Sequence, residues 1–282
     1  MHILKEPADV ALWSATLRRE TLTVGFVPTM GALHQGHLAL VAAALRQCDH
    51  VIASIFVNPL QFNNKEDLTK YPRQPEKDAA LLQEVGCHAV FLPSAERLFA
   101  DFHPRQYDLG ELDAHWEGAS RPGHFQGVVN VVERLFHYTR PDQVFFGEKD
   151  RQQLAIIAHV AREHLWPERI VPCPTLREPD GLAMSSRNQR LGPQDREQAP
   201  VLFKALQAMA ESSAHTVGRA LEAGHQVLQA APAVRLDHLG IADPRTFRPM
   251  RAQDKIMEGA IALIAAQIGP VRLIDNITLR PR

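Results

Sequence analysis

Apolar positions along this chain fall into two textures, and each predicts a different kind of packing. The stretch from Thr21 to Val27 is apolar with β-branched residues and reads as a strand, and Val51 to Val57 is a nearly continuous apolar run stopped by Asn58-Pro59. Runs without a polar alternate belong to parallel strands covered on both faces. Between them Leu38, Val41, Ala42 and Leu45 recur at helical spacing. The alternation continues with a helix from Glu76 to Val85 ended by Gly86, a strand from Ala89 to Leu92 stopped by Pro93, and a helical pattern from Gly127 to Phe136. A strand at Val144 to Phe146, a helix at Arg151 to Glu163 and a short strand at Arg169 to Val171 follow, after which Pro172 and Pro174 are expected to break the pattern. Residues 94–124 carry no clear period, and Arg121-Pro122-Gly123-His124 reads as a loop.

Beyond about residue 175 the texture changes to Ala/Gln/Glu-rich helices, around Arg196 to Glu211 and Val217 to Ala230. Short strands are expected near Leu236, at Ile261 to Ala265 and at Leu273 to Ile274. The expected fold is therefore α/β: a doubly wound, Rossmann-like parallel sheet over residues 1–175, then a smaller C-terminal α+β domain over 176–282. Ligands of such sheets bind beyond the carboxyl ends of the strands.

Composition narrows the partners. The chain has 282 residues, 45% hydrophobic, ample for a core in each of two domains. With 31 basic and 32 acidic residues the net charge is −1, so no global field favours nucleic acid or an anionic membrane, and a small-molecule substrate is expected. The apolar runs are far shorter than the roughly 20 residues a bilayer-spanning helix needs. The opening Met1-His2-Ile3-Leu4-Lys5-Glu6 shows no long apolar leader, which leaves the cytoplasm as the expected compartment. Cys48, Cys87 and Cys173 are odd in number and widely spaced, arguing against a disulfide framework or a thiolate zinc site.

Candidate chemistry concentrates at two strand-to-helix turns. The first runs Pro28-Thr29-Met30-Gly31-Ala32-Leu33-His34-Gln35-Gly36-His37. Amides at a helix start lack intrahelical partners and favour an anion, the glycines allow close approach, and His34 and His37 add imidazole donors. The second turn is Gly147-Glu148-Lys149-Asp150. For the first motif alone, a loop with two surface histidines is an equal alternative. A zinc site built from His34, His37 and His124 lacks the Glu of a helical His-Glu-x-x-His pair. A non-catalytic nucleotide sensor remains a rival of a different class, opposed by the joint presence of both histidines, Lys149, Ser185 and Ser186.

The His-x-Gly-His arrangement resembles the nucleotidyltransferase superfamily, whose members attack the α-phosphate of a nucleotide. Three further segments sharpen the likeness: Asn58-Pro59-Leu60-Gln61-Phe62, Phe146 to Asp150 with Gln152-Gln153, and Asp180-Gly181-Leu182-Ala183-Met184-Ser185-Ser186-Arg187-Asn188. Taken in order, and running on to Arg272-Leu273-Ile274-Asp275-Asn276, they resemble the pantoate–β-alanine ligase family. That resemblance implies a reaction using ATP and Mg2+ on pantoate and β-alanine through an adenylate, a homodimer, no nucleic-acid partner, and a C-terminal domain acting as a lid. It implies His37, His34 and Lys149 as catalytic residues. Nucleotide contacts are implied for Met30, Gly31, Ala32, Leu33, His34, Gln35, Gly36, His37, Gly147, Glu148, Lys149, Asp150, Leu176, Met184, Ser185, Ser186 and Arg187, and pantoate contacts for Gln61 and Gln153. No protein side chain is expected to ligate a metal. On the residues alone Lys149 also suits a solvated surface and Asp150 an acid at a helix start. Asn58 is expected to orient Gln61. Asp78, Arg121 and His124 lie in family-like segments without an expected catalytic role. Arg151 departs from the family, where an aromatic residue is common. The 178–188 segment is expected to be mobile without nucleotide and protected with it, because a glycine-containing loop that closes on phosphates has few partners in their absence.

Overall fold

A computed structural model describes residues 1–63, 68–69 and 71–281. They divide into two compact units, the first made of Met1–Leu109, Gly118–Glu148 and Gln153–Pro174, the second of Gly110–Glu117, Lys149–Gln152 and Thr175–Arg282. In the first unit six strands form one parallel sheet: β1 (His2–Leu4), β2 (Val24–Thr29), β3 (His50–Ile55), β4 (Ala89–Phe91), β5 (Gln143–Gly147) and β6 (Arg169–Cys173). Their order is β1-β4-β3-β2-β5-β6. From β2 the chain winds one way through β3 and β4, then returns to β5 and β6 on the other side, so the order reverses between β2 and β5. A crevice opens at such a switch point, beyond the carboxyl ends of the strands.

Successive residues of each strand face opposite sides, and both sides are covered. Phe26, Ile52, Phe91, Val144 and Phe146 join a core with Val10, Leu17, Val128, Val132, Leu135 and Ile157 from helices α1 (Pro7–Arg19), α6 (His124–Thr139) and α7 (Arg151–Glu163). Val27, Val51, Ala53, Val90 and Phe145 pack on the other face with Val41 and Ala44 of α2 (Gln35–Leu45) and Ala79 and Leu82 of α3 (Pro75–Glu84). Two short helices, α4 (Ala95–Leu98) and α5 (Trp116–Ser120), lie in the stretch without sequence period. The three cysteines are buried thiols, and burial pushes Cys48 and Cys87 up to about 11.

The second unit has a three-stranded antiparallel sheet, β7 (Val234–Ala242), β8 (Ile261–Ile268) and β9 (Val271–Thr278), with β8 central. Ala262, Ile264, Ala266 and Ile268 of β8 pack with Leu202, Ala205, Leu206 and Met209 of α9 (Val201–Glu211) and Val217 and Ala220 of α10 (Val217–Gln229). The segment Gly110–Glu117 also belongs here. Its Trp116 donates its indole N–H to the carbonyl of Phe247 at 2.7 Å, and its ring lies against Gly240 so closely that a Cβ there would sit 2.2 Å from a ring carbon.

The α/β class and the smaller α+β unit agree with the sequence expectation, with four differences. β1 carries no sequence expectation because three residues are too few to show a period, and α1 carries none either although its buried Val10, Ser14 and Leu17 recur at helical spacing. Pro172 does not end its strand: β6 is the sheet's edge, where a missing N–H costs no ladder bond. The helix expected over 196–211 is two, α8 (Pro193–Gln198) and α9, because Pro200 lacks the N–H a continuous helix needs. The C-terminal strands run to 8 or 9 residues, longer than the apolar clusters that marked them.

Gly240→Ala should cost about 1–3 kcal/mol through overpacking against Trp116. Urea denaturation checks this against Gly147→Ala, where the added methyl meets nothing within 4 Å.

Candidate active site

The first turn follows β2 at the switch point. Thr29 ties it to the neighbouring strand by donating its hydroxyl to the Ser54 carbonyl at 2.6 Å, and the same oxygen accepts from the Gly31 amide at 3.2 Å. The next two amides, of Ala32 and Leu33, each donate at 2.8 Å to a different oxygen of Asp78, a fully buried carboxylate in the first turn of α3. Gly31 and Ala32 have φ of 84° and 50°. The second is a strained choice for a residue with a Cβ and persists only where surroundings over-determine it, which the Asp78 pairing does. These two amides are thus engaged by the protein.

Further along the turn stand His34 and His37. His34 caps α2, its Nδ1 accepting from the Gly36 amide at 3.1 Å, while Nδ1 of His37 accepts from the His34 amide at 3.3 Å. A neutral imidazole has one donor and one acceptor nitrogen. With both Nδ1 atoms accepting, both protons sit on Nε2. The capping box therefore converts two orphan helix amides into two imidazole N–H donors, with ring centres 4.1 Å apart. Both side chains are half-buried. At the end of β5, Gly147 has open space where a Cβ would stand, leaving room on the other side of the switch point.

Gln61 is held from three directions. Asn58, itself buried, donates from Nδ2 to Gln61 Oε1 and to the Gly127 carbonyl, both at 3.0 Å. Gln61 Nε2 approaches the Met30 sulfur at 2.9 Å, and the Gln61 carbonyl accepts from His124 Nδ1 at 2.8 Å and Arg121 at 3.2 Å. His124 is thereby committed to the backbone, away from the zinc reading. Helix α6 comes so near that a Cβ on Gly127 would lie 2.2 Å from the Leu60 carbonyl oxygen. No local pattern announced that glycine. Of the neighbouring glutamines, Gln152 is buried and fully used, donating to the carbonyls of Leu112 and His115 and accepting from the Glu117 amide. Gln153 is half-buried on α7.

The remaining candidates belong to the second unit. Lys149 Nζ lies 3.6 Å from Asp150 in the short 3-10 turn before α7, and Asn276 donates to the Lys149 carbonyl at 2.8 Å. Arg151 starts α7, so the departure from an aromatic leaves the helix start in place. Leu176 accepts from the Met184 amide at 3.0 Å, closing a hairpin around Asp180-Gly181. Ser185 caps a 3-10 turn that holds Ser186 and Arg187. The 178–188 segment is held by bonds to its flanks and within itself. Asp180 pairs with Arg196 at 2.6 Å, Asn188 donates to the Ala183 carbonyl at 3.0 Å, and Arg177 donates to the Gly181 carbonyl at 3.1 Å. Among the described residues no three His, Cys, Asp or Glu side chains group to hold a metal ion.

The family model for pantoate-beta-alanine ligase matches residues 2–278. The chain is 47% identical over 281 residues to the pantothenate synthetase of Thermus thermophilus, covering 99% of this chain and 100% of that one. Against the pantothenate synthetase of Acidobacterium capsulatum it is 47% identical over 264 residues, covering 92% and 87%. The crystal structure of the Thermus thermophilus protein superposes with a TM-score of 0.93 at 46% identity, covering 100% of each chain. A Francisella tularensis pantoate-beta-alanine ligase, complexed with beta-gamma ATP and β-alanine, superposes at 0.81 with 32% identity, covering 99% and 97%.

Asp78→Asn replaces one acceptor by a donor facing an amide, so one of the two bonds is lost. It should lower stability by about 1–3 kcal/mol, measured by chemical denaturation, and reduce turnover further than that loss explains at a temperature where the variant is folded.

Proposed function

The chain belongs to the pantoate–β-alanine ligase family and is a ligase, and from that premise we propose that it joins pantoate to β-alanine using ATP, through a pantoyl-adenylate, with AMP and pyrophosphate released. The observation that carries this reading is the capping box at α2, whose two accepting Nδ1 atoms leave the imidazole protons on Nε2 at a helix N-terminus that follows the switch point of the sheet. Such a donor set suits a phosphate. His34 and His37 are assigned to the phosphates undergoing substitution, with Met30, Gly31, Ala32, Leu33, Gln35 and Gly36 shaping the turn beneath them. Gly147 and Glu148 line the nucleotide side, Lys149 meets the phosphates, and Asp150 accepts from the ribose hydroxyls. Leu176 meets the adenine through its backbone, and Met184, Ser185, Ser186 and Arg187 close on the phosphates as part of a lid. Gln61, presenting an amide fixed by Asn58, and Gln153 take the hydroxyls and carboxylate of pantoate. Magnesium is assigned to the ATP phosphates, where it offsets their negative charge. The family resemblance also supports a cytoplasmic homodimer.

In the first step a pantoate carboxylate oxygen bonds to the α-phosphorus and the bond to pyrophosphate breaks. A carboxylic acid with pKa ~4 is already ionised at neutral pH, so no base is needed, and positioning and charge stabilisation carry the step. Nε2–H groups on His34 and His37 stabilise negative charge on the phosphate oxygens. In the second step the β-alanine nitrogen bonds to the acyl carbon and AMP leaves. That amine, with pKa ~10, must first lose a proton. His34 and His37 face phosphate on this assignment, which leaves solvent or the adenylate phosphate to take it.

Product analysis with Mg-ATP, pantoate and β-alanine should give pantothenate, AMP and pyrophosphate; ADP would redirect the reading to a kinase-type reaction. Without β-alanine, labelled pyrophosphate should exchange into ATP only when pantoate is present. Replacing His37 by Ala should slow adenylation roughly 10²-fold or more while leaving a folded chain. Rapid-quench rates of the two steps between about pH 6 and 9 should rise more steeply for amide formation than for adenylation, and equal slopes would refute deprotonation by solvent or adenylate.

A further inference from the structure

The short segment carrying Lys149 is tied down at both ends within the second unit, at its start by the Asn276 side chain and at its end by its own Gln152 side chain. At its start, Asn276 of β9 donates from Nδ2 to the Lys149 carbonyl at 2.8 Å, and Asn276 is buried. At its end, the Gln152 amide spans the carbonyls of Leu112 and His115 at 2.7 and 2.9 Å and accepts from the Glu117 amide at 3.0 Å. Glu117 is in turn held through both oxygens by Arg272 at 2.8 and 2.7 Å, and Arg272 also pairs with Asp237. Lys149 thus stands on a frame of polar bonds.

Asn276 is fixed by its neighbour. The Asn276 amide donates to Asp275 Oδ1 at 2.7 Å, and Arg177 holds both oxygens of Asp275 at 2.6 and 3.0 Å and donates to the Asn276 carbonyl at 3.3 Å. Burial pushes the Asp275 carboxyl above the usual range, while Arg177, the Asn276 amide and the nearby Lys149 charge pull it down. The Arg177 guanidinium also lies 3.8 Å from the centre of the Phe203 ring and donates to the Gly181 carbonyl. One buried ion pair therefore supports both the carbonyl of Lys149, through Asn276, and the hairpin at Gly181 that precedes Met184-Ser185-Ser186-Arg187.

We infer that Asn276 is a positioning residue for the reaction, acting through the main-chain carbonyl of Lys149 to set where the Lys149 ammonium stands. The inference rests on the phosphate role proposed for Lys149. A displacement of about 1 Å at a charge-stabilising group can cost roughly 10² in rate, so a side chain that touches no substrate can still govern the step.

The test is a double-mutant cycle read by pantoate-dependent exchange of pyrophosphate into ATP. Asn276→Ala should slow exchange by roughly 10- to 100-fold in the wild-type background, and by less than about twofold when Lys149 is already Ala, because no ammonium is then left to misplace. KM for pantoate should stay unchanged. An equal factor in both backgrounds, no effect in the wild type, or a wild-type rate for Lys149→Ala alone would each overturn the inference. Thermal melts establish that each variant is folded; if Asn276→Ala is not, Asn276→Ser takes its place, since its shorter side chain cannot reach the same carbonyl. Should the wild-type chain show no pantoate-dependent exchange, the proposed reaction fails by itself, and the same cycle read as Mg-ATP affinity by calorimetry decides the role of Asn276.

Discussion

The bond pair on which the site depends is the one between the Asp78 carboxylate and the amides of Ala32 and Leu33, each at 2.8 Å. A buried carboxylate facing two amides in a turn must either satisfy both or leave costly unpaired groups. Because it satisfies both, the chain can pass through two consecutive positive-φ residues, Gly31 and Ala32, and deliver His34 to the start of α2. Everything after that is local. His34 caps the helix, His37 caps the cap, and the two Nε2–H groups follow from the acceptor role of the two Nδ1 atoms.

The same logic, a polar side chain spent on backbone so that another is held in place, recurs through the molecule. Asn58 and His124 fix Gln61, and Gln152 is consumed so that the segment bearing Lys149 is held. Each supporting group is a buried polar residue with its hydrogen bonds filled by main chain or by another polar side chain. Such networks are costly when incomplete and rigid when complete, which is what a site that works by positioning requires.

The sheet and its turns were legible because their signals are local. Apolar runs without alternation mark strands buried on both faces, and the His-x-Gly-His motif between a strand and a helical period marks a strand-to-helix turn without any need for tertiary knowledge. What the sequence withheld is what depends on distant partners. An acid in the first turn of a helix is an ordinary choice for its dipole, and nothing near Asp78 reveals that it serves a turn 46 residues earlier. Gly127 looks like any helical glycine until the Leu60 carbonyl is brought against it. Residues 110–117 have no period because they pack as individual side chains, Trp116 against Gly240 and Glu117 on Arg272, with Glu111 and Trp116 at φ of 62° and 54°.

The central claim is that the fold sets the protonation of the two histidines before any substrate arrives. It is tested most directly by the 15N chemical shifts of the His34 and His37 rings, at about pH 8, above the ordinary histidine range near 6.5. The account predicts, for both residues, a bare Nδ1 and a protonated Nε2. A proton on Nδ1 of either ring would break the corresponding capping bond and contradict it.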